Sequence, residues 1–219
     1  MQQYQTQTRT LGRAVGVNKV LRNTYWLLGM TLAFSALVAF VAMSLNLPYP
    51  GPIITLVGFY GLLFLTAKTA NSGAGILSVF ALTGFMGYTL GPILSLYLHA
   101  GMGELVFMAL GGTGLIFFAL SAYVLVTGKD MSFLAGMIQA GFWVLLLMMI
   151  GSFFVHAPFF YLAMSGLFML FSSAVILLQT SAIVHGGERN YIMATVTLFV
   201  SLYNIFVSLL NILGIMNDD

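Results

Sequence analysis

Few side chains in this sequence could make or break bonds. The chain holds three histidines, five Asp/Glu and no cysteine in 219 residues. Thiolate zinc sites, iron–sulfur clusters, disulfide frameworks and cysteine nucleophiles are therefore excluded together. A zinc hydrolase needs several ligands converging on one metal. His99 and His156 fall in connections on one side of the apolar runs and His185 falls on the other, so they do not converge and read as interfacial histidines bonded to water or backbone. An intramembrane serine protease needs a histidine base in the membrane. Ser165-Gly166 is the nearest fragment, and neither Phe159–Val184 nor Tyr191–Ile212 contains a histidine. No lysine lies deep in the last run for a Schiff base, and no buried carboxylate offers a proton relay. The sequence reads as a non-enzyme with no cofactor and no bound metal.

What does recur is neutral polarity. Thr197, Ser201, Asn204, Ser208 and Asn211 follow one another at spacings of four, three, four and three, a heptad rhythm that places them on one helical stripe. Ser165, Ser172 and Gln179 repeat at intervals of seven in the preceding run. Two such seams on consecutive antiparallel helices, joined by the short His185–Asn190 turn, can face each other and hydrogen-bond across the contact. They would serve either as close-packing surfaces, where interhelical hydrogen bonds contribute about 0.6 kcal/mol each, or as the wall of a hydrated cavity or ion path.

The elements that position these residues follow from composition. The chain is 60% hydrophobic and 5% charged, against roughly 25% charged for a soluble domain. Its solvent is lipid. Crossing about 30 Å of hydrocarbon takes about 20 apolar residues. Seven such runs appear, at Thr24–Leu45, Pro52–Ala67, Ile76–Leu98, Leu105–Val126, Phe133–Val155, Phe159–Val184 and Tyr191–Ile212, the second being the shortest. The expected fold is an all-α integral membrane bundle of seven transmembrane helices. A formal charge of +2 is too small for a nucleic-acid binder.

Lys and Arg accumulate in short cytoplasmic loops. With the amino terminus inside, Arg9, Arg13, Lys19, Arg22, Lys68, Lys129 and Arg189 all fall on the cytoplasmic side, and the connections around Pro48–Gly51, His99–Glu104 and Val155–Pro158 contain no Lys or Arg. The expected orientation is amino terminus in and carboxyl terminus out, with Glu104, Asp218 and Asp219 external. Residues 1–18 read as a flexible Gln/Thr-rich cytoplasmic tail, and residues 19–219 as the transmembrane domain. The first apolar run is too long for a signal peptide and is expected to remain as an anchor.

Glycines mark close approach. Gly84, Gly87 and Gly91 include a Gly-x-x-x-Gly step in the third run, and Gly111, Gly112 and Gly114 cluster in the fourth. Pro92 removes a backbone donor inside the third run and is a candidate hinge.

Several runs together resemble the Bax inhibitor-1 family: Phe80-Ala81-Leu82-Thr83-Gly84 with Leu90-Gly91-Pro92, Gly112-Thr113 with Ser121-Ala122, and Tyr191-Ile192 with Tyr203-Asn204-Ile205-Phe206. The likeness is greatest to a bacterial branch, through Lys19-Val20-Leu21-Arg22-Asn23-Thr24-Tyr25, Lys129-Asp130-Met131-Ser132-Phe133-Leu134 and His185-Gly186-Gly187-Glu188. The resemblance covers nearly all of the chain from Lys19 onward. It implies an inner-membrane protein with the seventh helix central and wrapped by the others.

The resemblance implies two competing functions. Relatives act as pH-sensitive calcium leak channels closed by two aspartates, one in the sixth helix and one in the seventh. Those positions match Gln179 and Ser201 here, and neither side chain titrates near neutral pH, so the family's pH switch cannot operate through this pair. Members of the bacterial branch resemble modulators of the membrane-anchored AAA protease FtsH, which they occupy and restrain as poor substrates. The tail and the branch-specific runs favour an FtsH partner over a calcium path.

Overall fold

The computed structural model describes residues 2–155 and 157–217, with side chains from residue 16 onward. Expectations resting on Met1, His156, Asp218 and Asp219, and on the side chains of Arg9 and Arg13, lie outside the described residues. Among those residues the regular elements are seven helices and no strand: α1 (Gln2–Ser44), α2 (Pro52–Thr69), α3 (Ala74–His99), α4 (Gly103–Thr127), α5 (Leu134–Gly151), α6 (Pro158–Val184) and α7 (Tyr191–Asn217). Each is long and apolar enough to cross a membrane. Even the shortest, α2 and α5 at 18 residues each, reach about 27 Å at 1.5 Å per residue, close to the hydrocarbon thickness.

Helix boundaries follow local chemistry. Gly128 ends α4 in the left-handed region (φ 61°), its N–H bonded to the Val124 carbonyl, a conformation that disfavours any residue with a Cβ. Pro158 opens α6 and holds Ala157 extended (φ −91°, ψ 133°), as the steric demand of a following proline requires. The fifth helix stops at Gly151, four residues before the expected Val155. Gly151 and Ser152 are weak helix formers, and the residues after them close into turns in which Phe154 and Val155 both donate to the Gly151 carbonyl. At the other end of the chain, α1 runs as a single helix from Gln2, and its apolar stretch begins at Gly16.

The seventh helix is the axis of the bundle. It packs on α1, α3, α4 and α6, and its buried side chains Leu198, Phe199, Leu202 and Ile205 meet Leu28 of α1, Met86 of α3, Phe117 of α4 and Ile176 of α6 in the central core. By contrast, α2 is held chiefly by α3, and α5 chiefly by α6. These two are the outer helices.

In lipid there is no water to drive helices together, so close approach has to supply the attraction. The α1–α3 contact does this through glycine. A Cβ at Gly87 would strike the Ser35 backbone carbonyl, and one at Gly91 would lie 2.6 Å from the Ala42 Cβ and 2.8 Å from the Ala39 carbonyl. The fourth-helix glycines behave differently. Gly112 approaches Leu209, while Gly111 and Gly114 have nothing within 4 Å. Close packing expected there is thus confined to Gly112, because the other two point away from α7.

Candidate functional site

The α7 stripe exists, and its residues divide by depth. Ser201 and Ser208 are buried, Thr197 and Asn204 are half-buried, and Asn211 is exposed. Asn211 borders a shallow depression of about 260 Å³ with Tyr97 and Gly214, where the Tyr97 hydroxyl donates to the Leu210 carbonyl at 3.1 Å. The α6 seam faces inward as well, with Ser165 and Ser172 buried.

The two seams do not bond to each other. Ser201 Oγ donates to the Thr197 carbonyl at 2.8 Å, and Thr197 Oγ1 donates to the Met193 carbonyl at 3.1 Å. Both hydroxyls turn back onto their own helix. The reason is generic: a Ser or Thr in a helix always has the carbonyl of residue i−4 within reach, whereas a partner across the interface must be placed. Gln179 Nε2, Ser172 Oγ and Thr180 Oγ1 on α6, Ser121 Oγ on α4, and Thr24 Oγ1 and Tyr25 Oη on α1 are all buried with no hydrogen-bond partner. Each such group forfeits about 1–3 kcal/mol while it stays unpaired.

Sequence patterning gave no warning of a concavity that five helices share. A cavity of about 430 Å³ lies between α2, α3, α5, α6 and α7. Its walls are Phe59 and Leu63 of α2, Phe85 of α3, Phe142 and Leu145 of α5 and Phe171 of α6. Its polar part is Thr89, Tyr203, Asn204 and, on α2, Thr55 and Tyr60. The Thr89 and Tyr203 hydroxyls lie 3.0 Å apart. Only Asn204 among these had been singled out from spacing. The signal for the rest would have been the aromatic content of α2 and α5, which in a membrane chain is hard to separate from ordinary lipid-facing residues.

One rim of the bundle is tied together by side chains. Asn190 Oδ1 accepts from the N–H groups of Ile192 and Met193 at 3.0 and 3.1 Å, capping α7. Its Nδ2 reaches across to the Ala70 carbonyl at 3.1 Å and to Asn71 Oδ1 at 2.8 Å. Ser181 Oγ accepts the Met131 N–H at 2.9 Å, and His185 Nε2 lies 3.1 Å from the Gly128 carbonyl. The turns after α2, α4 and α6 thereby form one surface, which also carries Lys68, Lys129 and Arg189. Asp130 belongs to it too. The Ser132 N–H, 2.8 Å from Asp130 Oδ1, holds that carboxyl below the usual aspartate range. On the opposite rim His99 Nδ1 meets only its own helix, at the Ser95 carbonyl (2.8 Å) and hydroxyl (3.1 Å). The described histidines are thus interfacial and bonded to backbone, as expected for His99 and His185.

The segments that meet on the tied rim, Lys129–Leu134 and His185–Glu188, are the runs on which the family resemblance rested. The family model described as Inhibitor of apoptosis-promoting Bax1 matches residues 17–218. The chain belongs to the Bax inhibitor-1 family. It is 61% identical over 205 residues to the protein of Escherichia coli K12 named Modulator of FtsH protease YccA, covering 94% of each chain. The same identity holds for the protein named Inner membrane protein YccA in a second E. coli strain. An uncharacterized protein of Pseudomonas aeruginosa is 58% identical over 219 residues, covering 100% of this chain and 98% of its own.

Gln179 and Ser201 do not bond to each other: the first leaves its amide nitrogen unpartnered and the second donates within α7. Glu104, Asp130 and Glu188, the described carboxylates, lie in a first helical turn or in connections rather than within the spans. A hard cation such as calcium prefers oxygen ligands that include carboxylates, and the α6–α7 seam offers none. Pro92 is half-buried within α3, where its missing N–H leaves the Tyr88 carbonyl without its usual helical donor.

Proposed function

We propose that this chain is a non-enzymatic, multi-pass protein of a bacterial inner membrane that restrains an FtsH-type AAA protease. The observation that carries the reading is 61% identity over 94% of both chains with the E. coli protein named Modulator of FtsH protease YccA. Two physical requirements support it. A protein that works by occupying a membrane protease has to offer a polar segment that the protease can take hold of. Residues 1–18, rich in Gln and Thr and running directly into the apolar stretch of α1, supply that segment. The protein must also resist being pulled apart. The glycine-mediated α1–α3 contact and the tied turns of the Lys68–Lys129–Arg189 rim supply that resistance. We take this rim as cytoplasmic from the Lys/Arg bias.

The test is competition in membranes containing the protease and a second substrate. The full chain is expected to slow degradation of that substrate. A chain lacking residues 1–17 is expected to lose this effect while its thermal unfolding stays unchanged. Undiminished restraint by the shortened chain would overturn the role of the segment, and no restraint by the full chain would overturn the function.

A further inference from the structure

We propose that the cavity between α2 and α5 is a binding site for a planar, uncharged, carbonyl-bearing hydrophobe that enters from the bilayer. Four observations converge on this ligand. No Asp, Glu, Lys, Arg or His lines the space, so a charged headgroup would be left without a counter-ion in a low-dielectric site. Aromatic rings dominate its walls, including Phe59, Phe85, Phe142, Phe168 and Phe171, and such rings favour offset or edge contacts with another flat ring.

The polar groups are few: Thr89, Tyr203 and Asn204, with Thr55 and Tyr60 on α2. Asn204, near the middle of α7, lines the cavity beside the Thr89–Tyr203 hydroxyl pair. The Asn204 amide N–H is a donor placed for a carbonyl near the middle of the helix, the phenol O–H being already given to Thr89. Ligand sites are generally apolar clefts with a small number of placed polar groups, of about 300–1,000 Å³, and this one falls in that range.

Route and shape narrow the occupant further. The two side walls, α2 and α5, do not form a packed interface with each other, being held by α3 and α6 respectively. The gap between them therefore faces lipid. A single ring with its attached chain trailing out between α2 and α5 fits the shape. A lipid acyl chain would also fill apolar space, but it places no acceptor beside Asn204.

The experiment uses the full chain in phosphatidylethanolamine/phosphatidylglycerol nanodiscs and follows its thermal unfolding against two probes. One is decylubiquinone. The other is decylbenzene, which has the ring and the chain without the carbonyls. A ligand that binds the folded state raises the unfolding temperature by mass action. Decylubiquinone is expected to raise it saturably, with at least tenfold higher apparent affinity than decylbenzene. Asn204→Leu, which removes the amide at similar volume, and Leu146→Phe, which fills the cleft, are each expected to weaken the response at least tenfold. Absence of a saturable shift would overturn the proposal. So would equal binding of decylbenzene, a result readable on the unmodified chain alone, or full binding by Asn204→Leu. A phospholipid detected in the site by native mass spectrometry and not displaced by decylubiquinone would identify an acyl-chain site instead and overturn it as well.

Discussion

The Tyr203 hydroxyl of α7 lies 3.0 Å from the Thr89 hydroxyl of α3, two residues 114 positions apart that meet between the central helix and the wall of the cavity. Thr89 Oγ1 also donates to the Met86 carbonyl at 2.7 Å, so the tyrosine supplies the remaining proton of the pair. Removing that proton leaves Thr89 satisfied. Tyr203→Phe is therefore expected to cost only about 0.6 kcal/mol, the usual worth of an interhelical hydrogen bond in membranes. Thr89→Val strands the phenol and costs more, about 1–3 kcal/mol. A double-mutant cycle read by unfolding in mixed micelles checks this, and a coupling energy near zero would contradict the contact.

Glycines on different helices are expected to respond in opposite directions. At Gly87 the obstacle to a side chain is the Ser35 backbone, which cannot swing aside as a side-chain tip could. Gly87→Ala is thus expected to pry α1 from α3 and destabilise by about 1–3 kcal/mol, the range of core overpacking. Gly111 sits inside α4 with nothing within 4 Å. Gly111→Ala is expected to stabilise by about 0.4–1 kcal/mol by reducing the freedom of the unfolded chain. The two unfolding midpoints, compared with the parent, decide the matter.

Asn190 performs two tasks that one substitution can separate. Asp at this position keeps the oxygen that caps Ile192 and Met193 but loses the Nδ2 donors to Ala70 and Asn71. Asn190→Ala loses both and is expected to cost about 1 kcal/mol or somewhat more. Hydrogen exchange separates them. With Asn190→Asp, amide protection at Ile192 and Met193 should persist, while the turn after α2 becomes freer. Equal deprotection in both variants would show that the cap depends on the cross-link.

The proposal that Gln179 and Ser201 form a gate yields a pH prediction. Gln179 and Ser201 have no ionisation in the physiological range, so this pair should hold one conformation between pH 5 and 8, roughly the range over which shifted carboxylates and histidines titrate. Installing Asp at both positions is expected to introduce a pH-dependent change in proteoliposome flux or in tryptophan fluorescence. No response in the double variant would remove these two positions from any gating role.

How much of this was legible in the sequence depends on which force set each feature. The spans were readable because crossing lipid demands long apolar runs, and only α5 ended early, at Gly151, where weak helix formers meet the approach to Pro158. Of the heptad Thr197, Ser201, Asn204, Ser208 and Asn211, the first four lie buried or half-buried on α7 and Asn211 is exposed. The spacing could not reveal that the hydroxyls of Thr197 and Ser201 would choose their own helix, since that choice depends on what lies opposite. Thr89 with Tyr203 was invisible for a similar reason: pairing over more than a hundred positions is fixed by tertiary packing, and no local periodicity encodes it. Nor did glycine spacing distinguish Gly112, which meets Leu209, from Gly111 and Gly114, which meet nothing.

The order of the helices along the chain has a mechanical corollary. Its weakly held members, α2 and α5, are both interior to the sequence, while the terminal members, α1 and α7, are anchored on several neighbours. A motor that grips a polypeptide by its end loads the terminal helix first. Here that load falls at once on the firmest joints, with no peripheral element to peel away beforehand, so the force needed for the first step is set by the centre of the bundle. A chain with its loosest strands at the ends would unravel gradually. This one is expected to hold and then give way as a unit.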